Sequence, residues 1–260
     1  MFLVASEGVR GEMFERSVVL LLQHGDEEGT LGVIVNKNAS DAERKLSVKT
    51  GNMAIEHMMD RLQQMQRQAA AGQGVGEEQL KQLAEELERG EALLKLLRAP
   101  GVELRTGGPV GLEQFPIGPH HILLHPFRGV KGSKPALAGS GSASDPDLFY
   151  VHPALMRKRD VDALAKRARQ LAPELREAGQ RLLVFRGNSA WGPKQLAGEI
   201  RGALEGGSSW GWLPASPRDV LGLLSSGRSA AGARPGGGGA GQQFWRQLQN
   251  STALQRLEAG

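Results

Sequence analysis

Residues 16–37 read RSVVLLLQHGDEEGTLGVIVNK, in which two apolar runs, 18–22 and 31–35, flank an acidic segment bounded by Gly25 and Gly29. Successive side chains of a strand point to opposite faces, so a run that is apolar at consecutive positions must be covered on both sides. This stretch therefore restricts the chain to architectures that bury a pair of strands between other layers. The β-branched residues and the Gly breaks favour strands over helix, and the short connection favours antiparallel pairing, with residues 24–30 as the loop. Asp26, Glu27 and Glu28 read as solvated turn residues, because nothing at a loop tip desolvates them for acid catalysis.

Strand-like runs recur at 2–4, 102–105, 121–124, 148–151, 181–185 and 210–213, but residues 53–98 have a different texture. Ile55, Met58, Met59, Leu62 and Met65 follow helical spacing, GQGVG at 72–76 interrupts it, and Leu80, Leu83, Ala84, Leu87, Leu94 and Leu97 resume it. The spacing predicts an αα-hairpin, with Glu77 and Glu78 opposing the positive end of the second helix and Lys95 and Arg98 near its negative end. Its Met stripe either covers the hairpin's own second helix or forms a docking face for a protein partner. Further helices are expected at 160–171, at 194–204 and, carrying Phe244, Trp245, Leu248, Leu254 and Leu257, at the end of the chain. Residues 225–241, with GARPGGGGAG at their centre, read as a flexible linker. That linker takes up part of the 36 glycines, a share about twice the usual ~7%.

Composition removes several function classes. There is no cysteine, which eliminates disulfides, thiolate nucleophiles, iron–sulfur clusters and zinc–cysteine sites, and is consistent with a reducing compartment. No cofactor is expected. The longest apolar run, 18–22, is strand-sized and far short of the ~18–20 residues of a membrane-spanning helix, so a soluble protein is expected. The first residues, MFLV, look like strand without the features of a targeting leader. With 32 Lys and Arg against 28 Asp and Glu, the formal charge is only +4, which permits nucleic acid as a partner without implying it.

Three stretches invite a functional reading. In HHILLH at 120–125, His121 and His125 are four apart, but the prolines at 119 and 126 and the apolar centre favour a strand, along which four residues span ~13 Å. Two imidazoles so separated cannot share a zinc at ~2.0–2.1 Å, so no metal site is expected and His125, at a strand end, is the histidine best placed for function. In GNSAWGPK at 187–194, a strand runs in and a helix runs out. The turn lacks the Lys-Ser/Thr pair of a P-loop and the second glycine of a hydrolase elbow, which leaves either amides that could receive an anion or a turn capped by Ser189 and anchored by Trp191. Arg157, Lys158 and Arg159 with Lys166, Arg167 and Arg169 form the densest basic cluster. It lacks interleaved aromatics for base stacking, and Asp160 and Asp162 dilute it, so a solvated helix face is expected ahead of phosphate contact.

The stretches FLVA (2–5), FERSVVLLLQH (14–24), GTLGVIVNK (29–37), GGPV (107–110), ILLH (122–125), LVFRGNSAWGPKQLAGEI (183–200) and WLPASPRDVL (212–221) together resemble the AlgH/YqgE-like proteins of bacteria and plastids. The resemblance implies one α+β domain over 1–260 with a mixed, largely antiparallel, barrel-like sheet, flanking helices and the hairpin at 53–98 as an insertion. It implies neither a cofactor nor an agreed catalytic residue. Carried onto this chain, its motif positions make a candidate functional surface of Arg16, His24, Asn36, Gly107, Gly108, Pro109, His125, Gly187, Ser189, Trp191 and Gln195, joined by Ser17, Gly32, Leu196, Glu199 and Trp212. The function expected is a non-enzymatic regulatory or protein-interaction role, extending to transcription regulation. The alternatives are a small ligand-binding enzyme or hydrolase centred on His125 and the Gly187 turn, and a nucleic-acid-binding regulator using Arg157, Lys158, Arg159, Lys166 and Arg167. A bacterial cytoplasm or a plastid stroma is the expected setting, and the glycine-rich insertions suggest an algal plastid protein without its leader.

Overall fold

The computed structural model describes residues 1–5, 9, 13–25, 27–37, 41–112, 120–139, 147–170, 181–200, 210–226, 245–246 and 248. The opening motif folds as expected, into β2 (Val18–Gly25) and β3 (Gly29–Ile34), paired antiparallel with a bulge between Leu21 and Gln23. Pairing continues to Gly25 opposite Gly29, so the connection is tighter than the loop expected at 24–30. β1 (Phe2–Ala5) lies beside β2, β10 (Trp210–Leu213) beside β1, and β9 (Ser189–Trp191) beside β3. The first sheet thus runs β10-β1-β2-β3-β9, all antiparallel.

The second sheet contains β4 (Val102–Thr106), β5 (Ile122–His125), β6 (Lys134–Leu137), β7 (Leu148–Val151) and β8 (Leu182–Arg186), in the order β4-β8-β5-β7-β6. Its β4–β8 pair is parallel, and the long stretch of chain between those two strands, which includes α3, supplies the crossover that parallel strands require. The expected α+β class with a largely antiparallel sheet is present, but the barrel-like form is not. β10 and β9 end one sheet, β4 and β6 the other, and closure would require such edges to pair.

The two sheets pack face to face. Phe2, Val4, Val18, Leu20, Val33 and Val35 of the first meet Ile122, Leu124, Tyr150, Leu183 and Phe185 of the second in a common core. The alternate residues face outward into two further cores, which answers the requirement set by residues 16–37. Leu3, Val19, Leu21 and Ile34 are covered by Trp191, Trp210 and Leu196 of α4 (Gln195–Ile200). Leu104, Leu123, Val151 and Val184 are covered by α2 (Glu77–Leu97) and α3 (Lys158–Gln170).

The hairpin's first helix, α1, covers Asp41–Ala70 and so begins well before the expected residue 53. Ser47, Gly51 and Ile55 are buried, but beyond them Met58, Leu62 and Met65 are only half-covered. α2 behaves in the opposite sense, since its last turns, with Ala92, Leu93, Leu94, Leu96 and Leu97, lie in the core. α5 (Pro217–Ser226) occupies the start of the expected linker at 225–241, the rest of which lies outside the described residues. α5 begins at a capping box in which the Asp219 amide donates to Ser216 Oγ and Asp219 Oδ2 accepts from the Ser216 amide, with Pro217 at the first helical position. Of the expected terminal helix, only Trp245, Arg246 and Leu248 are described. Trp245 is buried and donates its indole N–H to Ala5 O at 2.8 Å.

Candidate functional site

The motif positions meet where the chain passes between the sheets. β8 ends at Arg186, and Gly187 and Asn188 carry the chain across to β9, while Gly107 and Gly108 leave β4 alongside them. Gly107 O accepts from the Ile34 amide of β3 at 2.8 Å and from Ser189 Oγ at 3.2 Å, and its own amide donates to Arg186 O at 2.9 Å. One glycine thus ties both sheets together. The approach is between backbones: a Cβ on Gly107 would lie 2.3 Å from Gly187 O, and one on Gly187, whose φ is +71°, would lie 2.5 Å from Gly108 O. Val110 and Asn188 exchange backbone hydrogen bonds at 3.1 Å each, and Pro109 is the exposed tip of this loop.

The same crossing gathers residues that lie outside the candidate surface. The Gly187 amide donates to His121 Nδ1 at 3.0 Å and Asn188 Nδ2 donates to His120 O at 3.0 Å, while Asn188 Oδ1, buried, finds no hydrogen-bond partner among the described residues. Arg186 reaches from Leu112 O to Ser47 Oγ and fastens the base of α1. On β4, the buried Arg105 guanidinium donates to Val35 O across the sandwich, and Glu103 accepts from both Arg105 and Arg181. Burial lowers the Arg105 pKa and the neighbouring carboxylate of Glu103 opposes that shift. Two charged residues alternating within VELRT were the available signal for this cluster.

Arg16 and Asn36 form a second clamp. Asn36 Oδ1 accepts from the Val18 amide and its Nδ2 donates to Arg16 O, both at 2.8 Å, so one side chain supplies two backbone partners at the start of β2. Arg16, at φ +53°, presents its guanidinium to solvent beside Glu15. His24 lies at the far end of the hairpin and shares a 2.7 Å hydrogen bond with Thr30. On the outer face of the first sheet, Glu199 Oε2 accepts from the indoles of Trp191 and Trp210 at 3.1 and 3.0 Å, and Glu199 Oε1 accepts from Gln195, whose own Oε1 caps the Gly192 amide. Trp191 is buried in the core on this face, and Ser189 lies in β9 with its hydroxyl on Gly107 O.

His125 stands away from this crossing. β5 and β8 run antiparallel, so the end of β5 next to Gly187 carries His121, and His125 lies four strand residues off, ~13 Å. His125 is fully buried between Phe127 and Phe149, at centroid distances of 5.9 and 6.0 Å. Its Nδ1 accepts from the Phe127 amide at 3.3 Å, which leaves the proton on Nε2 to be donated to Ser133 Oγ at 2.9 Å. A serine nucleophile requires the reverse polarity, with Nε2 free to take its proton. Burial, then the charge of Arg167, press the His125 pKa down to about 4. Among the described residues no three His, Asp or Glu side chains converge as metal ligands, and no helix is long and apolar enough to cross a membrane.

The structure also divides the basic cluster. Lys158 pairs with Asp162 at 2.9 Å, and its pKa is raised by that carboxylate and more weakly by Glu88 and Glu91 of α2. Arg159 lies 3.7 Å from Asp160. Arg157 and Lys166 are exposed, and Arg167 leans the other way, donating to Arg128 O at 2.8 Å.

A UPF0301 protein of Ruegeria pomeroyi is 27% identical over 226 residues, covering 87% of this chain and 84% of its own. Among solved structures, a Corynebacterium diphtheriae protein aligns at 18% identity over 95% of this chain and 84% of its own, with a TM-score of 0.47. The AlgH protein of Pseudomonas aeruginosa aligns at 20% identity over 91% and 88%, with a TM-score of 0.44. The AlgH-like family pattern itself matches residues 2–231, so this chain belongs to the AlgH-like family.

Proposed function

We propose that the protein is a non-enzymatic interaction and regulatory factor in which the double sheet is a scaffold and the α1–α2 hairpin is the contact arm. Support comes first from the arm. A 30-residue helix is ~45 Å long, yet among the described residues α1 buries side chains only as far as Ile55, and beyond it Met58, Leu62 and Met65 are half-covered as α1 packs against α2. A segment of that length with a Met and Leu stripe is the form of an adaptable partner-binding surface. Further support is that the motif residues at the crossing spend their hydrogen bonds on backbone of the same chain, as scaffold residues do. The bacterial source of the relative supports a bacterial setting. Regulation would then be exercised through the partner.

Removing residues 53–98 whole is the wrong test, because it would also strip Ala92, Leu93, Leu94, Leu96 and Leu97 from the core. The suitable variant replaces residues 61–86 with a short glycine-rich turn and leaves the base of both helices. It should keep its cooperative unfolding transition and lose the proteins that crosslink to the intact chain. Unchanged crosslinked proteins would end the arm reading.

A further inference from the structure

The loop after β5 and the first residue of β6 read Phe127-Arg128-Gly129-Val130-Lys131-Gly132-Ser133-Lys134, and the fold brings this stretch against Arg167 of α3. The contact is the hydrogen bond from Arg167 to Arg128 O, and it merges two basic stretches that lie far apart in sequence. Arg128, Lys131, Lys134, Lys166 and Arg167 are all exposed. Residues 128–170 hold nine of the 32 Lys and Arg but four of the 28 Asp and Glu, a net of +5 against +4 for the whole chain. The rest of the chain is close to neutral, so this segment carries the charge asymmetry, and within it Lys158 and Arg159 lie beside Asp162 and Asp160. Asp147 is its local acid, held by Arg128 and the Gly139 amide, while Glu88 and Glu91 lie on the opposite flank beside Lys158.

A second feature lies at the other end of α3. Leu155, just before the helix, is 79% exposed, the highest exposure among the large hydrophobic side chains of the described residues. A 13-residue helix spans ~20 Å, so Leu155 and the merged patch are separated by about the length of α3. Basic side chains beside an exposed aliphatic one are the composition of a surface that rests on anionic lipid headgroups and inserts an apolar residue among them. Nucleic acid would use the charges but gain nothing from Leu155, and among the described residues no exposed aromatic ring accompanies the patch for stacking.

We propose that Arg128, Lys131, Lys134, Lys166 and Arg167 form a peripheral docking surface for an anionic lipid bilayer, with Leu155 as its apolar insert. This surface is independent of the α1–α2 arm. It needs no spanning helix and is sensitive to salt, since the charges are exposed.

The test is co-sedimentation of the full chain with phosphatidylcholine vesicles with and without phosphatidylglycerol. Binding should require phosphatidylglycerol and weaken in high salt. Replacing Lys131, Lys134 and Lys166 by Ala should lower the partition coefficient on the order of a hundredfold, about fivefold per lysine, whereas replacing Lys45, Lys49 and Lys81, which removes the same charge elsewhere, should change it little. Leu155→Ser should weaken vesicle binding and leave any binding to duplex DNA unchanged. Three results would overturn the proposal: no binding to phosphatidylglycerol vesicles, equal loss in the two triple variants, or duplex DNA binding that disappears in the patch variant while vesicle binding stays. Displacement of the protein from vesicles by millimolar inorganic phosphate at constant ionic strength would also overturn it, by making the patch a site for the free anion.

Discussion

At the scale of single residues, His125 carries the clearest consequence. Its pKa, depressed from 6.5 to about 4 by burial first and by Arg167 second, means that the unfolded chain binds a proton in this interval and the folded one does not. The stabilisation is complete above pH ~6.5 and disappears as the pH falls through the folded value, by about 3 kcal/mol. His125→Gln, which keeps a neutral hydrogen-bonding group, should flatten urea-derived stability between pH 6.5 and 4. A slope unchanged in that variant would assign the acid sensitivity elsewhere. Asp147 is separable, because its pKa lies below 3.8, lowered by the Gly139 amide and then by Arg128. Its contribution is present above pH 3.8 and is lost only at still lower pH. A second residue-scale expectation concerns the crossing: Gly187→Ala combines a strained φ of +71° with a Cβ 2.5 Å from a backbone oxygen, and should cost at least about 2 kcal/mol in denaturant unfolding.

At the scale of elements, the hairpin has one end in the core and one end outside it. Leu96, fully buried in α2, should cost about 3 kcal/mol on truncation to Ala, through lost transfer energy and the cavity left behind. Met65, half-covered on the outer part of α1, should cost under about 1 kcal/mol, and urea midpoints of the two variants compare them directly. Equal costs would mean that the arm is as well packed as the body. The helical periodicity of 53–98 was readable because both helices keep an apolar stripe, but that pattern does not distinguish a stripe facing a sheet from one facing only a neighbouring helix. β6 and β9 were not readable: β6 contains Pro135 and is tolerated as an edge strand, and β9 is three residues long. The capping box of α5, by contrast, is legible in the spacing of Ser216 and Asp219 around Pro217.

At the scale of the whole molecule, the sandwich is joined by a charged contact as well as by its apolar core. Arg105 hydrogen bonds across to Val35 O while Glu103 neutralises it together with Arg181. Glu103→Gln would leave two largely buried guanidinium groups without their carboxylate, and should destabilise by about 3 kcal/mol. Replacing Glu103 and Arg105 together by apolar residues should cost less than that single change, a comparison that equilibrium unfolding makes directly. A single change that proves neutral would show that solvent at Glu103 already screens the cluster.

The sequence alone determined the kind of layers this protein needs. Runs apolar at consecutive positions, such as 18–22 and 31–35, demand cover on both faces, and local spacing distinguishes strand from helix without knowledge of the partner. It also supplied the motif set that places the chain among the AlgH-like proteins. Only the tertiary structure decided which residues meet. Gly107 against Gly187, Arg105 against Val35, and Arg167 against Arg128 are contacts between segments distant in the chain, and no local propensity encodes them. For the same reason His121, rather than the more conspicuous His125, stands at the crossing: strand direction and register settle that choice, and both are properties of the assembled sheet.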